Sequence, residues 1–161
     1  MVTIVDSYLD MIQYISDKIL KADAKVRAAV KDDADAQLLK TIPGVGDYIA
    51  LVMSSGIDNV ERFTNSKSLC AHVGIVPSVH ASADKIAYDS ITHHGSDIMR
   101  WALVQGTLIH AWKYRESDIT KFYKRLEKKR GLGVAAVAAS AKMLRMTYWL
   151  LKERREFAPK S

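Results

Sequence analysis

The sequence predicts a mostly helical, all-α protein. Three observations carry that reading. Only 3 Pro and 8 Gly occur in 161 residues. Apolar residues recur at spacings of three and four through most of the chain, and the helix-stopping residues cluster at a few places instead of being spread evenly. With 48% hydrophobic and 26% charged residues, the composition suits a globular chain with a core of its own.

The elements follow in order. Residues 3–33 contain neither Pro nor Gly, and Val5, Leu9, Ile12, Ile19, Val26 and Val30 form a seam interrupted by Ser16 and Asp23. Residues 1–34 therefore read as an amphipathic, coiled-coil-like linker helix. It packs either on its own domain or on another chain. A domain over residues 35–157 follows. A short helix ends near Thr41, because Pro43 disfavours helix at the residue before it. Gly44 and Gly46 then make a tight turn, and a second helix runs from Asp47 to Ser55, stopping at Gly56. Together, residues 38–56 read as a helix-hairpin-helix. A short helix from Ser66, with Ser66 as its cap, reaches Val73. Residues 74–95 have no sustained period and read as a long irregular loop with a short hairpin around 79–91; loops of this length in a compact domain are usually functional. Gly95 and Ser96 open a helix to Tyr114, with Ile98, Met99, Ala102, Leu103, Gly106, Ile109 and His110 on one face. Ser117 or Asp118 caps the next, to Lys129. After Gly131-Leu132-Gly133, a last helix spans 134–155. Its opening run of small residues and its apolar circumference place it at the centre of the core or at an oligomer interface.

Charge narrows the partner. The formal net charge is +6, divided unevenly: residues 1–80 hold 8 Lys/Arg against 10 Asp/Glu, and residues 81–161 hold 16 against 8. A basic half points to a polyanion, nucleic acid ahead of a membrane surface. No apolar run approaches the ~20 residues that span a bilayer. Asp6 and Asp10 break any secretory signal, so the expected location is the cytoplasm. Cys70 is the single cysteine. It forms no disulfide within the chain, and in its apolar setting it reads as a buried small residue.

Three motifs carry possible chemistry. Gly44, Val45 and Gly46 form a turn whose backbone can approach a phosphate, ahead of a helix start with a positive dipole end; Asp47 opposes an anion there. Lys121, Lys124, Arg125 and Lys128 line one face of a helix, with Lys129 and Arg130 beyond, and Phe122, Tyr123 and Leu126 on the other side. The loop 77–85 holds Ser78 and Ser82 near His80, Lys85, His93, His94 and Arg100. It has no nucleophile-elbow pattern, and the histidines lack metal-ligand spacing.

Taken together, Thr41-Ile-Pro-Gly-Val-Gly46, Phe63, Leu69-Cys-Ala-His-Val-Gly-Ile-Val-Pro-Ser78 and Gly95-Ser-Asp-Ile-Met-Arg100 resemble the C-terminal domain of the IS-one-ten, IS one-sixteen, IS nine-oh-two family of insertion-sequence transposases. The resemblance covers roughly residues 38–155, and the preceding helix resembles that family's linker. It implies a DNA recombinase guided by a structured RNA. The family's N-terminal half is RNase H-like, with four acidic ligands for Mg2+. Its C-terminal half carries a serine that attacks a DNA phosphodiester. The matching position here is Ser82, with Lys85 and Arg100 as phosphate-holding partners and Thr92 and His93 in a further DNA-contacting element. The chain departs from the pattern after the serine, where Ala83 and Asp84 replace glycines, and at His93, which replaces a lysine. It begins directly before the linker helix, so the metal-binding half is expected to lie outside it and no cofactor is expected within it. Three readings stay open: a recombinase domain, either an inert remnant or a part acting with a separate nuclease half; a domesticated, non-catalytic DNA-binding module; and an interaction module that oligomerises through its first and last helices, with DNA incidental. A dimer through the N-terminal helix is expected in each.

Overall fold

A computed structural model describes residues 2–75, 77–82, 85–91 and 95–158, with backbone only for residue 2 and for the segments 77–82 and 85–91. Among the described residues, seven α-helices and one antiparallel hairpin follow in the order α1 (Val2–Asp32), α2 (Ala34–Leu39), α3 (Asp47–Ile57), a 3-10 turn (Val60–Arg62), α4 (Ser66–Val73), β1 (Pro77–Ser82), β2 (Lys85–Ile91), α5 (Asp97–Lys113), α6 (Asp118–Arg130) and α7 (Leu132–Glu153).

α1 keeps one continuous ladder through its two polar breaks. Its residues from 3 to 25 are exposed, and only Val26 and Val30 meet the core. The helix thus projects from the domain and docks by its last turns alone. Asp33 makes the elbow. One carboxylate oxygen caps α2 by accepting from the Ala36 N–H at 2.9 Å, and the other accepts from the Ser54 hydroxyl on α3 at 2.6 Å. One side chain therefore satisfies an orphan helix-end donor and fixes the angle between two elements.

The core gathers around α7, which packs against α2, α4, α5, α6 and the 3-10 turn. Ala135, Ala136, Ala139 and Ser140 are buried, and their small volume brings α7 close to its neighbours. Met143, Leu144, Leu150 and Leu151 then fill the interior further along. Tyr148 is buried with its hydroxyl donating to the Phe63 carbonyl at 3.2 Å, a polar end satisfied inside an apolar body. Cys70 is buried with its sulfur 3.7 Å from the Ala141 carbonyl.

Several boundaries differ from the sequence reading. Gly56 does not end α3, which continues to Ile57. A Cβ at position 56 would lie 2.5 Å from Met99 Sδ, so this glycine serves close packing on α5, and Asp58 at φ 58° turns the chain instead. Asn65, not Ser66, caps α4. Its side chain accepts from the backbone of Lys67 and Ser68, and Ser68 returns the bond in a capping box. Ile98 lies outside the buried face of α5, at 52% exposure. That face runs through Met99, Ala102, Leu103, Gly106, Thr107 and His110. α7 starts at Leu132, so Gly133 is helical and only Gly131, at φ 82°, makes the break. Within the segment read as irregular, β1 and β2 pair antiparallel, in the register Val79 with Tyr88 through Ser82 with Lys85.

Candidate nucleic-acid interface

The turn between α2 and α3 is built on Gly44. At φ 98° it adopts a conformation that L side chains avoid. It also lies flat on α5: a Cβ there would come within 2.5 Å of the His110 nitrogen and 2.8 Å of the Gly106 carbonyl oxygen. Val45 is buried beside it. The three residues read from sequence as one phosphate cradle therefore divide. Gly44 and Val45 face the core. Gly46 is exposed, with nothing within 4 Å of the position a Cβ would take, and it starts α3 without a side-chain cap. Asp47 does not present a bare charge beside it, because its carboxylate pairs with Lys40 Nζ at 2.6 Å.

His110 pins this turn from below. Its Nδ1–H donates to the Pro43 carbonyl at 2.7 Å, which leaves Nε2 to accept from the Ser117 hydroxyl at 2.8 Å. Ser117 in turn accepts from the Thr120 N–H at 3.0 Å as the cap of α6. One neutral imidazole thus joins the turn, α5 and the start of α6. Burial lowers its pKa below the usual 6.5, outweighing the opposing pull of the Pro43 carbonyl.

α6 turns Ile119, Thr120 and Tyr123 inward. Lys121, Lys124, Arg125, Lys128, Lys129 and Arg130 are all exposed. Lys121 pairs with Glu116 at 3.3 Å; the other five have no carboxylate within ion-pair distance among the described residues. Arg125 lies over the Phe122 ring at 5.6 Å, as does Lys142 of α7 at 5.2 Å. Cations at a helix C-terminus complement the dipole, yet six in one helix exceed what that requires.

The residues assigned to phosphodiester chemistry are not assembled into a site by the described atoms. Ser82 and Lys85 face each other across the hairpin register, at the ends of β1 and β2 beside the tip. Thr92 and His93 lie outside the described residues. Arg100 is engaged within the fold: Nη1 donates to the Val73 carbonyl at 3.2 Å, Nη2 pairs with Asp97, and its side chain is 12% exposed. Gly95, at φ 133°, lies against the same α4 terminus, where a Cβ would meet the Val73 carbonyl oxygen at 2.6 Å. The Gly95–Arg100 stretch therefore clamps the end of α4.

A cleft of about 500 Å3 between the turn and α5 escaped the sequence reading. Tyr48, Trp101, Gln105 and Lys113 line it along with Gly46. Its sequence signal is the i, i+4 ridge of Trp101, Gln105, Ile109 and Lys113, which lies beside the buried face of α5. No group of three or more His, Cys, Asp or Glu capable of holding a metal ion occurs among the described residues. None of the described helices is long and apolar enough to cross a membrane.

Comparison with known proteins converges on one group. Residues 36–124 match the Transposase IS116/IS110/IS902 family. The transposase for insertion sequence element IS1111A of Coxiella burnetii is 29% identical over 83% of this chain and 37% of its own length. A probable family 20 transposase of Pseudomonas aeruginosa is 22% identical over 93% of this chain and 45% of its own. A pilin gene-inverting protein of Moraxella bovis is 29% identical over 95% and 49%. The chain thus spans less than half the length of these relatives.

Proposed function

Because the chain belongs to the IS116/IS110/IS902 family of transposases, we propose that it is the DNA-gripping, C-terminal part of such a recombinase. The exposed basic face of α6 carries this reading. Lys124, Arg125 and Lys128 stand on one helix face with no carboxylate partner among the described residues, braced by Phe122 and the buried Tyr123. Such a row contacts phosphates without reading sequence, so it positions a duplex. Gly46 adds an unobstructed backbone approach at the start of α3.

Ser82 is the candidate nucleophile, by its place in the family pattern. Lys85, its neighbour in the hairpin register, is suited to hold the phosphate under attack. Arg100 joins them only by giving up its bonds to Val73 and Asp97; otherwise it acts by holding the end of α4. Mg2+ chemistry belongs to an RNase H-like half outside this sequence, and a guide RNA and a dimer through α1 belong to the same reading. Binding is the property assigned to this chain itself. The alternative, an oligomerisation module in which DNA is incidental, draws on the uncovered apolar face of α1.

Salt dependence of duplex affinity separates the two. Each phosphate contact contributes roughly 0.9 to the slope of log affinity against log salt. Replacing Lys124, Arg125 and Lys128 by Gln is expected to flatten the slope by roughly 2.7, while Ser82→Ala leaves binding unchanged. An unaltered slope in the triple variant rejects α6 as the grip.

A further inference from the structure

The cleft beside α3 has the makings of a base-stacking site. Tyr48 and Trp101 are 46% and 50% exposed, although each is large enough to be a main contributor to a core. Their rings meet edge to face, with centroids 6.1 Å apart at 74°. That arrangement leaves ring surface uncovered on the cleft side, where a further flat ring can stack. Lys113 stands three turns along α5 on the same ridge and is exposed, with no ion pair among the described residues. Gln105, between them, offers an amide with both donor and acceptor character. Among the described residues, the one carboxylate lining the cleft is Asp47, and it is already neutralised by Lys40.

We infer that this cleft receives one unpaired nucleotide of a DNA strand. Its base stacks against Trp101 and Tyr48, its edge meets the Gln105 amide, and its phosphate lies toward Lys113 and the open backbone at Gly46. The inference rests on the DNA-gripping reading above and adds to it a preference for unpaired bases. Stacked bases inside an intact duplex have no free face to offer, so the cleft discriminates by base exposure and tolerates any sequence.

Affinities of the full chain for a gapped duplex and for an intact duplex of the same sequence provide the test. The wild type is expected to prefer the gapped form. Trp101→Ala is expected to weaken gapped binding about tenfold, the scale of one lost base stack, and to leave intact-duplex binding unchanged. Trp101→Phe retains a ring and is expected to keep most of the preference. Trp112→Ala, at a 72% exposed tryptophan that does not line the cleft, is expected to keep all of it. A gap preference that survives Trp101→Ala, or that falls equally with Trp112→Ala, overturns the cleft site while leaving the α6 grip standing. If neither duplex binds, the grip and the cleft site fall together. Thermal unfolding of the variants checks that Trp101→Ala acts on binding and not on the fold.

Discussion

At the scale of single residues, two glycines two positions apart do different work. Gly44 combines a positive φ with a backbone contact that no side chain can vacate, since the atoms in the way are those of α5 itself. Gly44→Ala is therefore expected to cost at least about 2 kcal/mol, from the left-handed backbone and the steric clash together. Gly46 has φ −91° and ψ 179°, ordinary extended backbone, with open space around it. Gly46→Ala is expected to cost less, up to about 1 kcal/mol, because alanine is a poorer N-cap than glycine and nothing else stands in its way. Urea unfolding of the pair measures both. Equal losses would refute the division of the turn into a packed glycine and an approach glycine. His110 gives the second residue-scale prediction. A histidine whose folded pKa lies below its unfolded value favours the native state only while neutral. Its contribution is therefore complete above about pH 6.5 and is lost as pH falls through the folded pKa. Unfolding free energy is expected to drop as pH falls below about 6.5, and His110→Gln is expected to flatten that drop. A wild-type stability that is level over this range would show that the imidazole is not held neutral by the Pro43–Ser117 bridge.

At the scale of elements, α1 is wider in character than the single seam that predicted it. Ile4, Tyr8, Met11 and Ile15 form a second row beside Val5, Leu9 and Ile12, and all seven are exposed in the chain by itself. In the proposed dimer, a partner helix covers this apolar surface, which the chain by itself exposes to water. Ile12→Asp, on the seam and far from the docked turns, is expected to convert an assembled protein to monomer in sedimentation velocity and to leave the domain's Tm unchanged. A monomeric wild type would remove the dimer from the proposal. The same helix shows what spacing conveys. A run of three-and-four repeats without Pro or Gly identifies a helix and its length, because both follow from local backbone preference. It does not tell which other positions lie uncovered, since that depends on what packs nearby. Gly56 departs from its local pattern for the matching reason. Glycine after an apolar stretch favours a helix stop locally, whereas here Met99, 43 residues later, makes the absent Cβ useful inside the helix. Asn65 and Ser66 differ by one position in a run of capping residues, and only the backbone shows which of them leaves the helical conformation. Among the site residues, α6 was legible because charge at helical spacing is a local pattern. The Tyr48–Trp101 cleft was not, because its two rings come from elements 53 residues apart.

At the scale of the whole molecule, the chain has two regimes of stability. From Val26 onward the helices share one buried cluster around α7, with Tyr148 tied to the backbone at Phe63 and Phe157 returning to Thr41 through its own N–H at 2.9 Å. These ties link the ends of the domain, so its helices are expected to open together. The exposed part of α1 has only its own ladder and local contacts such as Gln13 to Asp17 at 3.1 Å. In the proposed dimer, its amides gain further protection from the helix that covers its apolar rows. Native-state hydrogen exchange distinguishes the regimes. Amides in residues 5–25 are expected to exchange faster as the protein is diluted, because mass action removes the covering helix. Amides of α5 and α7 are expected to hold a protection independent of concentration. The basic face of α6 should follow the domain and not α1, since Ile119 and Tyr123 belong to the shared core. If α1 stays equally protected at every dilution, its apolar rows are covered from within the chain and the projecting helix is not how copies meet. If α7 loses protection on dilution along with α1, assembly is part of the domain's own stability, and DNA binding would then depend on protein concentration twice, through folding as well as through occupancy.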